Sequence, residues 1–377
     1  MENEVVKLLS HLVAIDSVNP SLVARGAGEG EAARFVAEWG SAAGLEVELL
    51  EQTRDRPSVL VRSRGAGDGQ TLLLCGHLDT VGVEGMADPH KPRVEGDRLH
   101  GRGAYDMKAG VAAALIACRE AKARGLAGDV VVAAVADEEH ASLGVREALG
   151  SLQADAAIVT EPTEMEVAIA HKGFAWLEIE VAGRAAHGSR PHLGVDAIVK
   201  TGPVLTALGR LDEALRDRTH PLLGAGSVHA SLISGGTELS TYPDRCVVGL
   251  ERRTLPGDSA GSVEDEIAEL LEACRQTDPE LEAASRTLLV REPFEIADGM
   301  PIVTALRDAC ADVLGAPAPV AGASYWADSA FIAAAGIPTV VFGPGGEGAH
   351  AVEEWVSIPD TVAVARILTG VAARICA

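Results

Sequence analysis

Basic residues are in short supply in this chain. Lys and Arg total 32 against 55 Asp and Glu, a formal charge of -23, which excludes nucleic acid as the expected partner because phosphates must be neutralised by cations. Acidic membrane surfaces are excluded on the same ground. The six cysteines, Cys75, Cys118, Cys246, Cys274, Cys310 and Cys376, form no C-x-x-C pair, so neither a thiolate metal site nor a redox motif is expected. They read as buried free thiols. No apolar run is long enough to span a bilayer, and the acidic start Met1-Glu2-Asn3-Glu4 leads into the amphipathic pattern Val5, Leu8, Leu9, Leu12, Val13 rather than into a secretory leader. A reducing, cytoplasmic setting is the expectation. Aromatics contribute only 3% of the residues, so the adjacent pair Tyr325-Trp326 stands out, as packing against the last helices or as a pocket wall.

What is present is an ordinary globular composition, 47% hydrophobic and 23% charged, on a chain of 377 residues. That length exceeds the roughly 250–300 residues at which single cores stop growing, so two domains are expected. Helical patterns alternate with short apolar runs from the start, the rhythm of an α/β layer structure. The runs Leu72 to Cys75, Val130 to Val135, Ala156 to Val159 and Thr339 to Phe342 are almost continuously apolar, as central strands covered on both faces must be. Between Gly173 and Leu289 the pattern changes. Leu177, Ile179 and Val181 alternate with polar residues, and a β-α-β-β-α-β order follows if a last strand lies near Leu289. The expectation is a main domain built from 1–173 and 290–377, with a small α+β domain inserted at 174–289.

Each buried run ends in residues able to bind metal: Gly76-His77-Leu78-Asp79, Asp137-Glu138-Glu139-His140, Thr160-Glu161-Pro162, and a glycine-rich loop ending in His350. Sites in open α/β sheets form just outside the carboxyl ends of strands, so one edge collects two histidines and several carboxylates. In H-x-D, Asp79 can accept from the second imidazole nitrogen of His77 and fix the ring for a metal. Adjacent glutamates divide labour, one binding a metal while its neighbour, Glu138 or Glu139, moves protons. The glycines of Gly101-Arg102-Gly103-Ala104-Tyr105-Asp106 match neither common phosphate-loop template. An acidic residue there, just before a helix, can instead point its carboxylate into the site.

These segments, G-H-L-D-T-V, G-R-G-A-Y-D-M-K-A-G, D-E-E, T-E-P-T and the late G-A-H, occur in an order that resembles the acetylornithine deacetylase, succinyl-diaminopimelate desuccinylase, aminoacylase and carboxypeptidase G superfamily. The resemblance spans Gly76 to His350. It implies an α/β catalytic domain of the zinc-exopeptidase type, with a mixed, mostly parallel sheet flanked by helices, and an inserted ferredoxin-like dimerisation domain. It also implies two zinc ions, cobalt and manganese being admissible at such carboxylate-rich sites. Asp106 would bridge them, His77 and Glu161 would complete one site, Glu139 and His350 the other, and Glu138 would be the general base. In Gly183-Arg184-Ala185-Ala186-His187-Gly188-Ser189, His187 matches the histidine that stabilises the oxyanion in the partner's site of a homodimer. Arg253 in Glu251-Arg252-Arg253-Thr254 matches the arginine that receives a substrate carboxylate. Ser240 departs from the pattern, since an asparagine commonly stands there, and the shorter hydroxyl would alter specificity.

The implied reaction is hydrolysis of an acetyl- or succinyl-like N-acyl group from a small amino acid. A carboxypeptidase or dipeptidase of the same superfamily is the close alternative, because the same groups cleave a peptide bond. A non-catalytic metal- or ligand-binding relative is the alternative from another class, and the retention of Glu138 beside five ligand candidates speaks against it.

Overall fold

A computed structural model describes residues 1–377. Two compact units emerge. The first comprises Met1–Ile169, Ile296–Gly322 and Ala327–Ala377, and the second comprises Ala170–Glu295 and Ala323–Trp326. The second unit thus extends a few residues beyond the 174–289 read from the sequence, because Phe294 and Glu295 pair with His171 and Ala170 at its two ends.

The sheet of the first unit runs in the order Glu46–Leu50, Ser58–Ser63, Val130–Val135, Leu72–His77, Ala156–Val159, Thr339–Val341, Val167–His171. The four central strands are mutually parallel and their neighbours on both sides are antiparallel, so the sheet is mixed. Every residue of Leu72–His77, Val130–Val135 and Ala156–Val159 is buried, which is why the sequence there is a continuous apolar run and not an alternating one. Helix Ala109–Arg124 packs against the C-terminal helix Ile358–Ile375 and against the sheet. Its small residues permit close approach. A Cβ added at Gly110 would stand 2.0 Å from the Thr160 carbonyl oxygen, so only glycine lets the start of this helix touch the strand end that leads to Glu161.

The second unit follows the expected β-α-β-β-α-β order, with strands Gly173–Ala182, Ser227–Gly235, Arg245–Thr254 and Glu282–Arg291 and helices Ala197–Leu215 and Ala260–Thr277. Its antiparallel sheet has Ser227–Gly235 and Glu282–Arg291 at its edges. Burial alternates along Gly173–Ala182, and Leu177, Ile179 and Val181 join Val204, Leu208, Val263 and Ile267 of the two helices in one apolar core. No helix in the molecule is long and apolar enough to cross a membrane. All six cysteines are buried and free.

Candidate metal centre

The strand ends of the first unit deliver one site. Leu72–His77 finishes on His77 itself, Val130–Val135 runs on to Glu138 and Glu139, and Ala156–Val159 runs on to Glu161. His350 arrives on the loop after Thr339–Val341, at a left-handed φ of 62°. Asp106 sits in a single irregular turn, Ala104–Lys108, directly before helix Ala109–Arg124. The Asp106–Met107 peptide is cis.

Asp106 lies between two imidazoles, with Oδ1 3.2 Å from His77 Nε2 and Oδ2 3.2 Å from His350 Nε2. Glu161 Oε1 is 3.6 Å from His77 Nε2, and Glu139 Oε2 is 3.2 Å from His350 Nε2. Donor atoms of His77, Asp106 and Glu139 all lie within 4.8 Å of one another, as do those of His77, Glu138 and Glu161. The structure therefore brings together all five expected ligands and Glu138. His77 and Glu161 are buried and Glu138 is partly buried, whereas the His350 side chain is 56% exposed.

Carboxylates outnumber imidazoles here, and the ion-pair partners of Asp106, Glu139 and Glu161 are histidines. Burial, reinforced by neighbouring carboxylates, pushes the Glu138 and Glu161 carboxyls well above the usual range. Burial also raises Glu139. Desolvation alone would lower His77, yet Glu161 and Asp106 hold it well above its ordinary value, and Asp106 with Glu139 raises His350 to about 10. Such a cluster calls for added positive charge. Glu139 Oε1 is buried without a hydrogen-bond partner, and His77 Nδ1 donates to the Asp79 carbonyl at 2.9 Å, which leaves Nε2 facing the carboxylates. A donor set of this kind fits divalent cations, which would displace the imidazole protons.

One expectation is corrected. The Asp79 carboxylate stands 3.7 Å from His77 Nδ1, and it is the Asp79 backbone carbonyl that holds the ring. The carboxylate instead accepts from the amides of Glu138 and Glu139, at 3.1 and 3.2 Å, and from Asn19 Nδ2 at 2.8 Å. The side chain thus orients the loop beyond a neighbouring strand, while the backbone does the work expected of it.

Several supporting residues are not singled out by the sequence analysis. Glu354 is buried and its carboxylate accepts from Arg102 Nη1 at 2.6 Å and from the amides of Gly103, Tyr105 and Asp106 at 3.0, 2.9 and 3.1 Å. It clamps the turn that presents Asp106. Lys108 is fully buried, donates to the carbonyls of Leu12 and Ile15, and is lowered by burial to about 8. A small sheet of Gly346–Glu347, Trp355–Ser357, Arg98–His100 and Arg93–Glu95 ties the segments flanking His350 to the strand preceding the Asp106 turn.

The remaining candidates lie in the second unit. His187 is exposed and its Nδ1 is 2.8 Å from Ser189 Oγ. The neighbouring Gly188 amide donates to the Ser240 carbonyl at 2.7 Å, so the segments carrying His187 and Ser240 lie side by side. Ser240 is exposed, with its hydroxyl donating to Glu238 at 3.2 Å. Arg253 Nε donates to Glu251 at 2.8 Å, and its guanidinium lies 5.2 Å above the Phe174 ring. Trp326 packs on His171 and Phe174 and donates to the Glu292 carbonyl at 3.1 Å.

Histidines and carboxylates gathered at the carboxyl ends of parallel strands define a metal-dependent hydrolase of the α/β class. Residues 73–374 match the family described as Peptidase family M20/M25/M40, and the chain belongs to that family. It is accordingly a metallohydrolase acting on amide bonds. An acetylornithine deacetylase of Myxococcus xanthus is 30% identical, covering 98% of this chain and 96% of its own. One from Aliivibrio fischeri (strain MJ11) is 28% identical over 94% of each. Among solved structures, a tripeptidase from Staphylococcus aureus superposes with a TM-score of 0.82 at 21% identity, covering 100% of this chain and 99% of that one. That likeness establishes a shared fold.

Proposed function

We propose that the protein is a two-zinc amidohydrolase that removes an acetyl- or succinyl-like group from the nitrogen of a small amino-acid substrate. The observation that carries this reading is the Asp106 carboxylate, with one oxygen 3.2 Å from each of two histidines. His77 and Glu161 would hold one cation, Glu139 and His350 the other, and Asp106 would serve both. When bound, the cations polarise the scissile carbonyl and acidify a water at neutral pH. Glu138 takes the proton of the attacking water and returns it to the departing amine, its carboxylate lying within 4.8 Å of the donor atoms of His77 and Glu161. Arg253 receives the substrate carboxylate through its planar fork, and Ser240 shapes acceptance of the rest of the substrate. His187 stabilises the oxyanion across a homodimer. Dimer formation is supported by the edge strand Ser227–Gly235, where Leu232 and Ile233 are 74% and 57% exposed.

The full-length relatives named acetylornithine deacetylase favour deacylation. The tripeptidase of like fold keeps peptide hydrolysis as the second reading. The two are separated by incubating metal-loaded protein with N-acetyl and N-succinyl amino acids, acetylornithine included, beside a dipeptide and tripeptide panel. Turnover of acyl amino acids in clear preference to peptides is the expected result. Hydrolysis confined to peptides would replace deacylation with exopeptidase action, and no hydrolysis of either would favour a non-catalytic relative.

A further inference from the structure

The three consecutive amides of Asp137, Glu138 and Glu139 are held by side-chain carboxylates and by no strand or helix. The Asp137 amide donates to Glu29 Oε1 at 3.2 Å, the Glu138 amide to Asp79 Oδ1 at 3.1 Å and the Glu139 amide to Asp79 Oδ2 at 3.2 Å. Two successive N–H groups on one carboxylate fix the peptide plane between Glu138 and Glu139. That plane sets the directions in which the two side chains diverge. Asp137 itself has a left-handed φ of 68°, a conformation that needs such support in a residue with a Cβ.

Both carboxylates are in turn fastened from the N-terminal segment. Asn19 Nδ2 spends one hydrogen on Asp79 Oδ2, at 2.8 Å, and the other on Asp137 Oδ1, at 3.1 Å. Its own position is fixed by its amide, which donates to the Thr80 carbonyl at 2.9 Å, and by its Oδ1, which accepts from the Ser21 amide at 2.9 Å. Arg56 Nη2 reaches Asp137 Oδ1 at 2.6 Å and Glu29 Oε1 at 2.7 Å, while its Nε reaches Glu29 Oε2 at 2.8 Å. Asn19, Glu29, Asp79 and Asp137 are all fully buried. An amide is the one side chain that can give two hydrogens to two carboxylates and still accept at its oxygen. Aspartate would donate neither hydrogen and would place a third acid between the two, and alanine would leave both carboxylates short of a donor.

We propose that Asn19, assisted by Arg56, is a positioning residue for the reaction: through Asp79 and Asp137 it sets where Glu138 and Glu139 stand. Asn19 and Arg56 lie before the stretch 73–374 that matches the family. The inference rests on the roles of Glu138 as base and Glu139 as ligand given above. Misplacing a reacting group by about an ångström costs roughly a hundredfold in rate, so a loosened loop should act on turnover before it acts on substrate binding.

The test compares Asn19→Ala and Asn19→Asp with wild type and with Val5→Ala, a buried residue of helix Glu2–Ala14 whose apolar side chain makes no hydrogen bond in this network and which controls for lost packing. Three readings are taken: kcat and KM on the best substrate, the visible spectrum of the cobalt-loaded protein, and deuterium exchange of the peptide spanning 137–142. Expected for both Asn19 variants is a fall in kcat of about ten- to a hundredfold with KM little changed, an altered cobalt spectrum, and faster exchange in that peptide than Val5→Ala shows. Folded Asn19 variants with wild-type kcat, spectrum and exchange would overturn the proposal. So would a loss of activity matched by Val5→Ala at equal loss of Tm. Should the Asn19 variants fail to fold, exchange in the wild type decides: protection of the 138 and 139 amides comparable to a core strand supports the clamp, and free exchange refutes it. A wild type that binds no cobalt or turns over no substrate would count against the metal-centre reading, while the exchange comparison would still judge Asn19.

Discussion

At the scale of single residues, the site is organised by what each carboxylate can reach. Asp106 reaches both histidines, so its removal should release both cations, whereas loss of His77 should release the one it shares with Glu161. Asp106→Ala and His77→Ala are therefore expected to lose metal together with activity, as read by elemental analysis of purified protein. Full occupancy in both variants would contradict the assignment. The choice of acceptor for His77 Nδ1 shows how residue-scale reasoning can be right about a need and wrong about its supplier. The ring is oriented by an acceptor two positions on, but by the carbonyl of Asp79 and not by its carboxylate. The H-x-D spacing cannot tell these apart, because both oxygens belong to the same residue and only the direction of the chain after the strand decides between them.

At the scale of elements, legibility followed how local the cause was. Strands Val130–Val135 and Ala156–Val159 were readable to the residue because burial on both faces leaves only apolar side chains. The inserted unit was readable because its alternation and its two helical stretches are properties of neighbouring residues. The clamp at Glu354 was not, since its acceptors meet amides 248 or more positions away in sequence, and the Asn19 bond to Asp137 crosses 118. A weak signal existed: Glu353-Glu354 stands directly before the short strand Trp355–Ser357, close after the histidine loop. The element-scale prediction concerns this clamp. Glu354→Gln keeps the shape but turns one acceptor into a donor facing Arg102 or a backbone amide, an unsatisfied buried contact costing about 1–3 kcal/mol. The expected outcome is a lower Tm in the metal-free protein together with weaker metal binding by competition against a chelator. Unchanged metal affinity would confine Glu354 to a purely structural role.

At the scale of the whole molecule, the family and the fold follow from matches along nearly the full chain, while the partner-shared site is a proposal that a mixed dimer can test. Co-expression of Glu138→Ala and His187→Ala subunits with two purification tags yields a heterodimer in which one of two sites has both residues intact, provided His187 acts in the partner's site. Activity near half that of wild type is expected, with each parent homodimer inactive. A folded, metal-loaded heterodimer as inactive as its parents would place His187 outside the partner's chemistry. The reading of Glu138 as the base of an amide-hydrolysing metal centre is decided by the turnover of Glu138→Ala, measured on protein whose zinc content equals that of wild type. Two zinc ions per chain are expected in both proteins, with a rate at least about a hundredfold lower in the variant; near-normal turnover in the metal-replete variant would contradict that role.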